Sequence, residues 1–147
     1  TLLPLDAPKV RAYPLETVIA EKFDAVVRLG RANSRMKDFH DLYTLAARRS
    51  FDGELLTKAV QATFERRKAD LTLVPAVLAP EFYTDDALGQ RWRAFVKGQP
   101  IGTQIEPKFP GIGEQLRPFL GPLASATVGS LVLVSWDRAN GWASRTP

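Results

Sequence analysis

The 147-residue sequence contains no cysteine, and His40 is its single histidine. Disulfides, thiolate metal sites and thiol nucleophiles are therefore excluded. One histidine cannot build a multi-histidine metal site, and a Ser/His catalytic pair would have to rest on His40 alone. Long apolar runs are lacking too: none reaches the roughly 18 residues that a membrane-spanning helix requires. The N-terminus has no basic region, and Pro4 and Asp6 interrupt its apolar residues, so it carries no signal-peptide pattern. These absences set the expectation of a cytoplasmic protein with no membrane partner. The chain begins with Thr1, which reads as a fragment or a processed product. There is no acidic excess either: 20 Lys and Arg face 16 Asp and Glu, giving a net charge of +4 and a pI of about 9.6. That balance permits a polyanionic partner without demanding one.

With 45% hydrophobic and 24% charged residues, the composition is that of an ordinary globular protein long enough to bury a core. The distribution of charge is more telling than the total. Val18, Lys22 and Val26 follow one another at i, i+4, and Arg35 shares a helical stripe with Phe39, Leu42 and Ala46. Residues three and four apart lie on one helix face. A lysine and an arginine in a core-facing stripe are costly to bury unless an anion meets them. Lys22, Arg28, Arg31, Arg35 and Lys37 crowd one short region, and Arg66, Arg67 and Lys68 form a second cluster. The helix macrodipole accounts for Arg28 and the second cluster at helix C-termini, but not for Arg35 and Lys37 in a first turn.

Periodicity predicts a mainly α fold, an antiparallel helical bundle of about five helices with an extended N-terminal lead-in and an irregular C-terminal tail. Residues 1–14 are the lead-in. A helical domain over 15–97 carries the charged segments. Residues 98–147 hold a Gly/Pro loop, one helix and a tail anchored by Trp136 and Trp142. The first helix runs from about Leu15 to Leu29 and stops at Gly30. The second, capped by Asn33 or Ser34, runs to about Arg48 with Met36, Phe39, Tyr43 and Ala46 inward. Their short connector predicts an antiparallel hairpin. The third is capped by Asp52 and runs to about Arg67, with Leu55, Leu56, Ala59, Val60, Thr63 and Phe64 as its apolar face. A turn is expected over Pro80 to Tyr83, a fourth helix from about Asp85 to Lys97, and a fifth from about Ile112 to Ala124. The apolar run from Thr127 to Trp136 fits either a strand or a buried helix. His40 reads as a packed histidine, Asp85-Asp86 as a helix N-terminal acid pair, and Glu16 and Glu21 as solvent-facing or hairpin-pairing residues.

Two blocks, Ile19-Ala20-Glu21-Lys22-Phe23 and Arg35-Met36-Lys37-Asp38-Phe39-His40-Asp41-Leu42, resemble those in the helical half of the AbiEii/AbiGii toxin family of nucleotidyltransferase-like proteins. The second block, an Arg-x-Lys-Asp-x-x-Asp pattern, is the more specific. Thr63-Phe64-Glu65-Arg66-Arg67 and Trp92 with Phe95 are also similar to that family. The family's Gly-Ser and Asp-x-Asp core is not found here. Gly129-Ser130 precedes Asp137, but Arg138 and Ala139 follow it and the order relative to the helical blocks is reversed. The resemblance thus implies the C-terminal helical portion, without the N-terminal nucleotidyltransferase core.

The resemblance implies transfer of a nucleotide from an NTP, with Mg2+, to an acceptor that is tRNA for some relatives, and a cognate antitoxin as partner. Lys22 and Asp38 would be catalytic, Lys22, Arg35 and Lys37 would face phosphate, and Asp41 would support them. No residue of the chain is expected to hold the metal, and the chain alone is expected to be inactive. The residues also admit a plainer reading, with Arg35 and Asp38 at i, i+3 and Lys37 and Asp41 at i, i+4 as helix-surface pairs, and Lys22 reaching outward from an interface. The alternative function is a non-catalytic helical module that binds nucleic acid or a protein partner.

Overall fold

Pro14 has φ −60° and ψ 152°, and its carbonyl accepts from the Thr17 and Val18 N–H groups at 3.1 and 3.2 Å. That geometry starts α1 (Leu15–Leu29), which Gly30 ends at φ 54°, a left-handed conformation that glycine adopts without strain. The computed structural model describes residues 14–147; of the expected lead-in over 1–14, all but Pro14 lies outside them. After a 3-10 turn over Gly30–Ala32 come α2 (Met36–Arg48), the two-residue strand β1 (Phe51–Asp52) and α3 (Gly53–Arg67). A 3-10 turn over Leu71–Leu73 leads to the short α4 (Val74–Leu78) and α5 (Pro80–Tyr83). α6 (Asp86–Lys97) and α7 (Phe109–Thr127) follow, and the hairpin β2 (Val132–Asp137) and β3 (Gly141–Arg145) closes the chain.

The mainly α expectation holds, with corrections. Seven α-helices form among the described residues instead of about five. α4 escapes the periodicity argument because it is only five residues long and carries Pro75 in its first turn. α7 is longer than expected and contains Pro118 and Pro122. Each proline removes one backbone donor, and the carbonyls released, those of Glu114 and Pro118, belong to exposed residues that water can satisfy.

The tail is not irregular. Its apolar run becomes β2, the centre of a three-stranded antiparallel sheet in the order β1-β2-β3. Phe51 pairs with Trp136, and Trp136 in turn pairs with Trp142. As expected, both tryptophans anchor the tail. The Trp136 indole N–H donates to the Ala46 carbonyl at 2.8 Å, and that of Trp142 donates to the Phe119 carbonyl at 2.9 Å. Asp137, which had appeared beside the Gly-Ser pair in the sequence, accepts the Asn140 backbone N–H at 2.8 Å and shapes the hairpin turn. That bond holds its carboxyl below the usual range.

The core is continuous from α1 to the hairpin. Phe39, Phe82, Tyr83, Trp92 and Phe109 form one aromatic group, and Phe51, Phe119, Trp136 and Trp142 another. The expected pairing of α1 with α2 is present, but α1 packs more extensively on α3, with Phe23 against Phe64 at 5.2 Å between ring centroids. Leu55 departs from its expected inward position and is exposed, whereas Leu56, Val60, Thr63 and Phe64 are buried.

Gly53 opens α3 directly beneath β2, where a Cβ would lie 2.3 Å from the Leu133 backbone carbonyl carbon. Backbone cannot rotate out of the way as a side-chain tip can. Gly53→Ala is expected to lower the unfolding free energy by about 2 kcal/mol and to loosen the hairpin. Chemical denaturation, together with amide exchange over Val132–Asp137, checks it.

Candidate functional site

Asn33 is fully buried in the connector between α1 and α2. Its side-chain oxygen accepts the Arg35 backbone N–H at 2.6 Å, a local turn that Asn forms readily. Arg91 of α6 donates to the carbonyls of Arg31 and Asn33 at 2.8 and 3.2 Å. These bonds fix the approach to α2 and place Arg35 at its N-cap, with φ −94° and ψ 68° and no side-chain cap. Arg35 therefore does not lie in the buried stripe of Phe39 and Leu42. It stands one residue before the helix with a side chain 60% exposed. The expected caps, Asn33 and Ser34, are two residues and one residue too early.

Lys22 projects from α1 into the first turns of α2. Its Nζ lies 3.4 Å from Asp38 Oδ1 and 3.0 Å from Asp41 Oδ2. Arg35 Nε is 3.2 Å from Asp38 Oδ2, and Lys37 Nζ is 3.0 Å from Asp41 Oδ2. All five residues singled out in the sequence thus form one cluster, three cations around two carboxylates. The helix-surface pairs Arg35–Asp38 and Lys37–Asp41 both form, and Lys22 links them. The anion demanded by a lysine on an inward stripe is supplied by the chain itself. Asp38 is the innermost member, with a side chain 3% exposed, while Lys37 reaches solvent. Asp38 Oδ2 is buried without a hydrogen bond of good geometry, so Arg35 serves it by charge more than by a directed bond.

A cleft of about 660 Å3 runs across α1 beside this cluster. Lys22, Arg28, Arg35, Arg66 and Arg67 all line it, with Glu21 the sole acid among its described lining residues. Glu21 is partly exposed and pairs with α3 instead of across the α1–α2 hairpin. Its carboxylate bonds to Arg66 and, at 2.9 Å, to Arg67 Nε. Burial raises the Glu21 pKa, but the bonds from the two arginines outweigh it and hold the carboxyl below its ordinary value. Asp24 sits one turn on, buried, with Arg28 Nε at 3.4 Å and Arg67 Nε at 3.7 Å. The basic cluster at the end of α3 was visible in the sequence, but its place in the same cleft as Lys22 was not. The macrodipole reading of Arg66 and Arg67 stands, and these side chains also close the cleft.

Other expected roles come out as structural. Asp85 caps α6 by accepting the Leu88 N–H at 3.1 Å. His40 packs on Phe95 with ring centroids 5.7 Å apart, and burial lowers its pKa despite the opposing pull of Asp41. Among the described residues, no helix is long and apolar enough to cross a membrane, and no group of three or more His, Asp or Glu could hold a metal ion. Asp38 and Asp41 do not fit a magnesium ion. Their oxygens already face Lys22, Arg35 and Lys37, and a dication placed there would meet three positive charges.

A protein-family model described as nucleotidyl transferase AbiEii toxin, type IV TA system, matches residues 2–115. The match spans both charged blocks, the whole cationic cleft and the start of α7. No curated protein and no solved structure matches the chain.

Proposed function

We propose, from the premise that the chain belongs to the AbiEii nucleotidyl transferase toxin family of type IV toxin–antitoxin systems, that its cationic cleft receives the polyphosphate of a nucleoside triphosphate. Membership implies an antitoxin as partner. The observation that carries the reading is the position of Lys22 and Arg35, both lining an open cleft and both braced by the buried Asp38.

In nucleotidyl transfer the acceptor hydroxyl oxygen bonds to the α-phosphorus. The bond from that phosphorus to its bridging oxygen breaks, pyrophosphate leaves, and the hydroxyl proton passes to a base. Such chemistry depends mostly on positioning and on stabilising charge. Lys22 offers a point charge to a phosphate oxygen, and Arg35 offers a planar fork. Lys37 adds a solvent-reaching cation. Asp38 is a positioning residue that aims Lys22 and Arg35, and Asp41 does the same for Lys22 and Lys37. Magnesium, when bound, would supply charge neutralisation to the phosphates, and its carboxylates come from outside residues 14–147. On this reading the described residues do not transfer a nucleotide unaided. The acceptor we favour is a nucleic acid hydroxyl, with tRNA the first to try.

Arg35→Ala is the clean test because that side chain is mostly exposed and caps nothing. Titration calorimetry with ATP, CTP, GTP and UTP is expected to detect binding of at least one. The variant should lose about tenfold in affinity for it, with a melting temperature lowered less than by loss of Lys22, which still pairs with Asp38. Binding indifferent to Arg35, or no triphosphate binding alongside salt-sensitive binding of an oligonucleotide, would favour the non-catalytic module instead.

A further inference from the structure

The cleft holds more positive charge than the proposed triphosphate contacts use. Arg66 and Arg67 leave the last turn of α3 and converge on the two oxygens of a single carboxylate, that of Glu21. Arg67 presents both Nε and Nη2 to Glu21 Oε1, at 2.9 and 2.8 Å. Paired guanidinium donors around one oxyanion are the arrangement with which proteins hold phosphate. Arg28, six positions after Lys22 on α1, lines the same cavity. The carboxylate in the fork is not buried: the Glu21 side chain is 31% exposed, and the arginines are 58% and 47% exposed. It can therefore swing out without leaving a charge stranded in the core. Asp24 behind it is a different case. Only 1% exposed, it keeps Arg28 and Arg67 aimed along the cleft whatever Glu21 does.

A simple clamp between α1 and α3 would place such a pair anywhere along their long shared interface. Here it lies on the wall of the cavity that Lys22 and Arg35 also line. We infer that Arg28, Arg66 and Arg67 form a second phosphate-binding subsite, and that Glu21 is an internal stand-in that an incoming phosphate oxyanion displaces. The ligand chemistry is a phosphate group, supplied either by the distal phosphates of the nucleoside triphosphate or by a phosphodiester of the acceptor strand. The inference shares its cavity with the proposed triphosphate site but uses different residues.

The test compares inorganic tripolyphosphate with a short single-stranded RNA oligonucleotide, both titrated into the full chain and into Glu21→Gln, Arg67→Ala, Arg67→Lys and Arg35→Ala. Glu21→Gln keeps the shape of the side chain and removes the competing charge. It is expected to raise phosphate affinity by about fivefold, whereas loss of a structural clamp raises no affinity. Arg67→Ala should lower affinity, and Arg67→Lys, which keeps charge without the fork, should recover part of it. An effect on tripolyphosphate alone assigns the subsite to the triphosphate, and an effect on RNA alone assigns it to the acceptor strand. Binding that depends on Arg35 but ignores Glu21 and Arg67 overturns the second subsite and leaves the first reading standing. Absence of binding by both the wild type and Glu21→Gln overturns both.

Discussion

Replacing Lys22 by Met is expected to lower the unfolding free energy by about 3 kcal/mol. The side chain neutralises Asp38, which is 3% exposed, and Asp41, which is 22% exposed. Removing one partner of a buried pair leaves the other as an uncompensated charge, which costs more than the pair contributed. Two features reduce the loss: Lys22 is itself 22% exposed, and Arg35 remains 3.2 Å from Asp38. The diagnostic is the double variant. Lys22→Met with Asp38→Asn removes both charges and is expected to regain at least half of the lost stability, measured by urea denaturation. Independent, additive losses in the two single variants would mean that Lys22 and Asp38 do not act as a pair. Triphosphate affinity separates the functional contribution: if Lys22 meets phosphate, the double variant recovers its fold and still binds poorly. Because the lysine carries this structural duty, loss of activity in a Lys22 variant is interpretable only beside its stability.

Phe39→Ala is expected to cost about 4 kcal/mol. Phe39 is completely buried where α2 meets α5 and the start of α7. Its ring meets Phe109 at 5.2 Å and Tyr83 at 6.2 Å, both nearly edge-on, and Phe82 at 6.1 Å. These neighbours come from α5 and α7, so they cannot collapse into the space by a local shift, and the cavity term stays large. Tyr83 is further pinned by donation of its hydroxyl to the Val77 carbonyl at 2.8 Å. Phe39 lies next to Asp38 in sequence, so its loss should also loosen the cluster around Lys22. A Phe39→Leu variant, which fills most of the space, is expected to retain most of the stability. Equal losses in the two variants would contradict the packing argument.

The charged cluster was legible because the sequence breaks its own rules there. Lys22 occupies an apolar stripe, and Arg35, Lys37, Asp38 and Asp41 recur at helical intervals. One inference drawn from that stripe needed revision. The anion that makes Lys22 tolerable is the pair Asp38 and Asp41, sixteen and nineteen positions along the chain, so the ion cluster does not by itself require a ligand. Arg35 was misplaced because the periodic pattern cannot reveal that Asn33 spends its side chain on the Arg35 N–H and delays the helix. The hairpin was ambiguous for a different reason. An apolar run of β-branched residues is compatible with two local structures, and the choice fell to partners outside the run, Phe51 far away in sequence and Trp142 across the hairpin turn, both paired with Trp136.

By itself the sequence determined a mainly helical chain, the boundaries of its main helices to within a few residues, and the local pairs Arg35–Asp38 and Lys37–Asp41. Those follow from periodicity, caps and fixed offsets, which act over a few residues and need no knowledge of the rest of the chain. Only the tertiary structure decided that Arg66 and Arg67 would face Glu21, that Asp24 would be buried behind them, and that a cleft would join them to Lys22 and Arg35. Those outcomes depend on the packing of α1 against α3, forty-five positions apart at the Glu21–Arg66 contact. Side-chain volume and buried area set that packing, and neither is written in any local pattern.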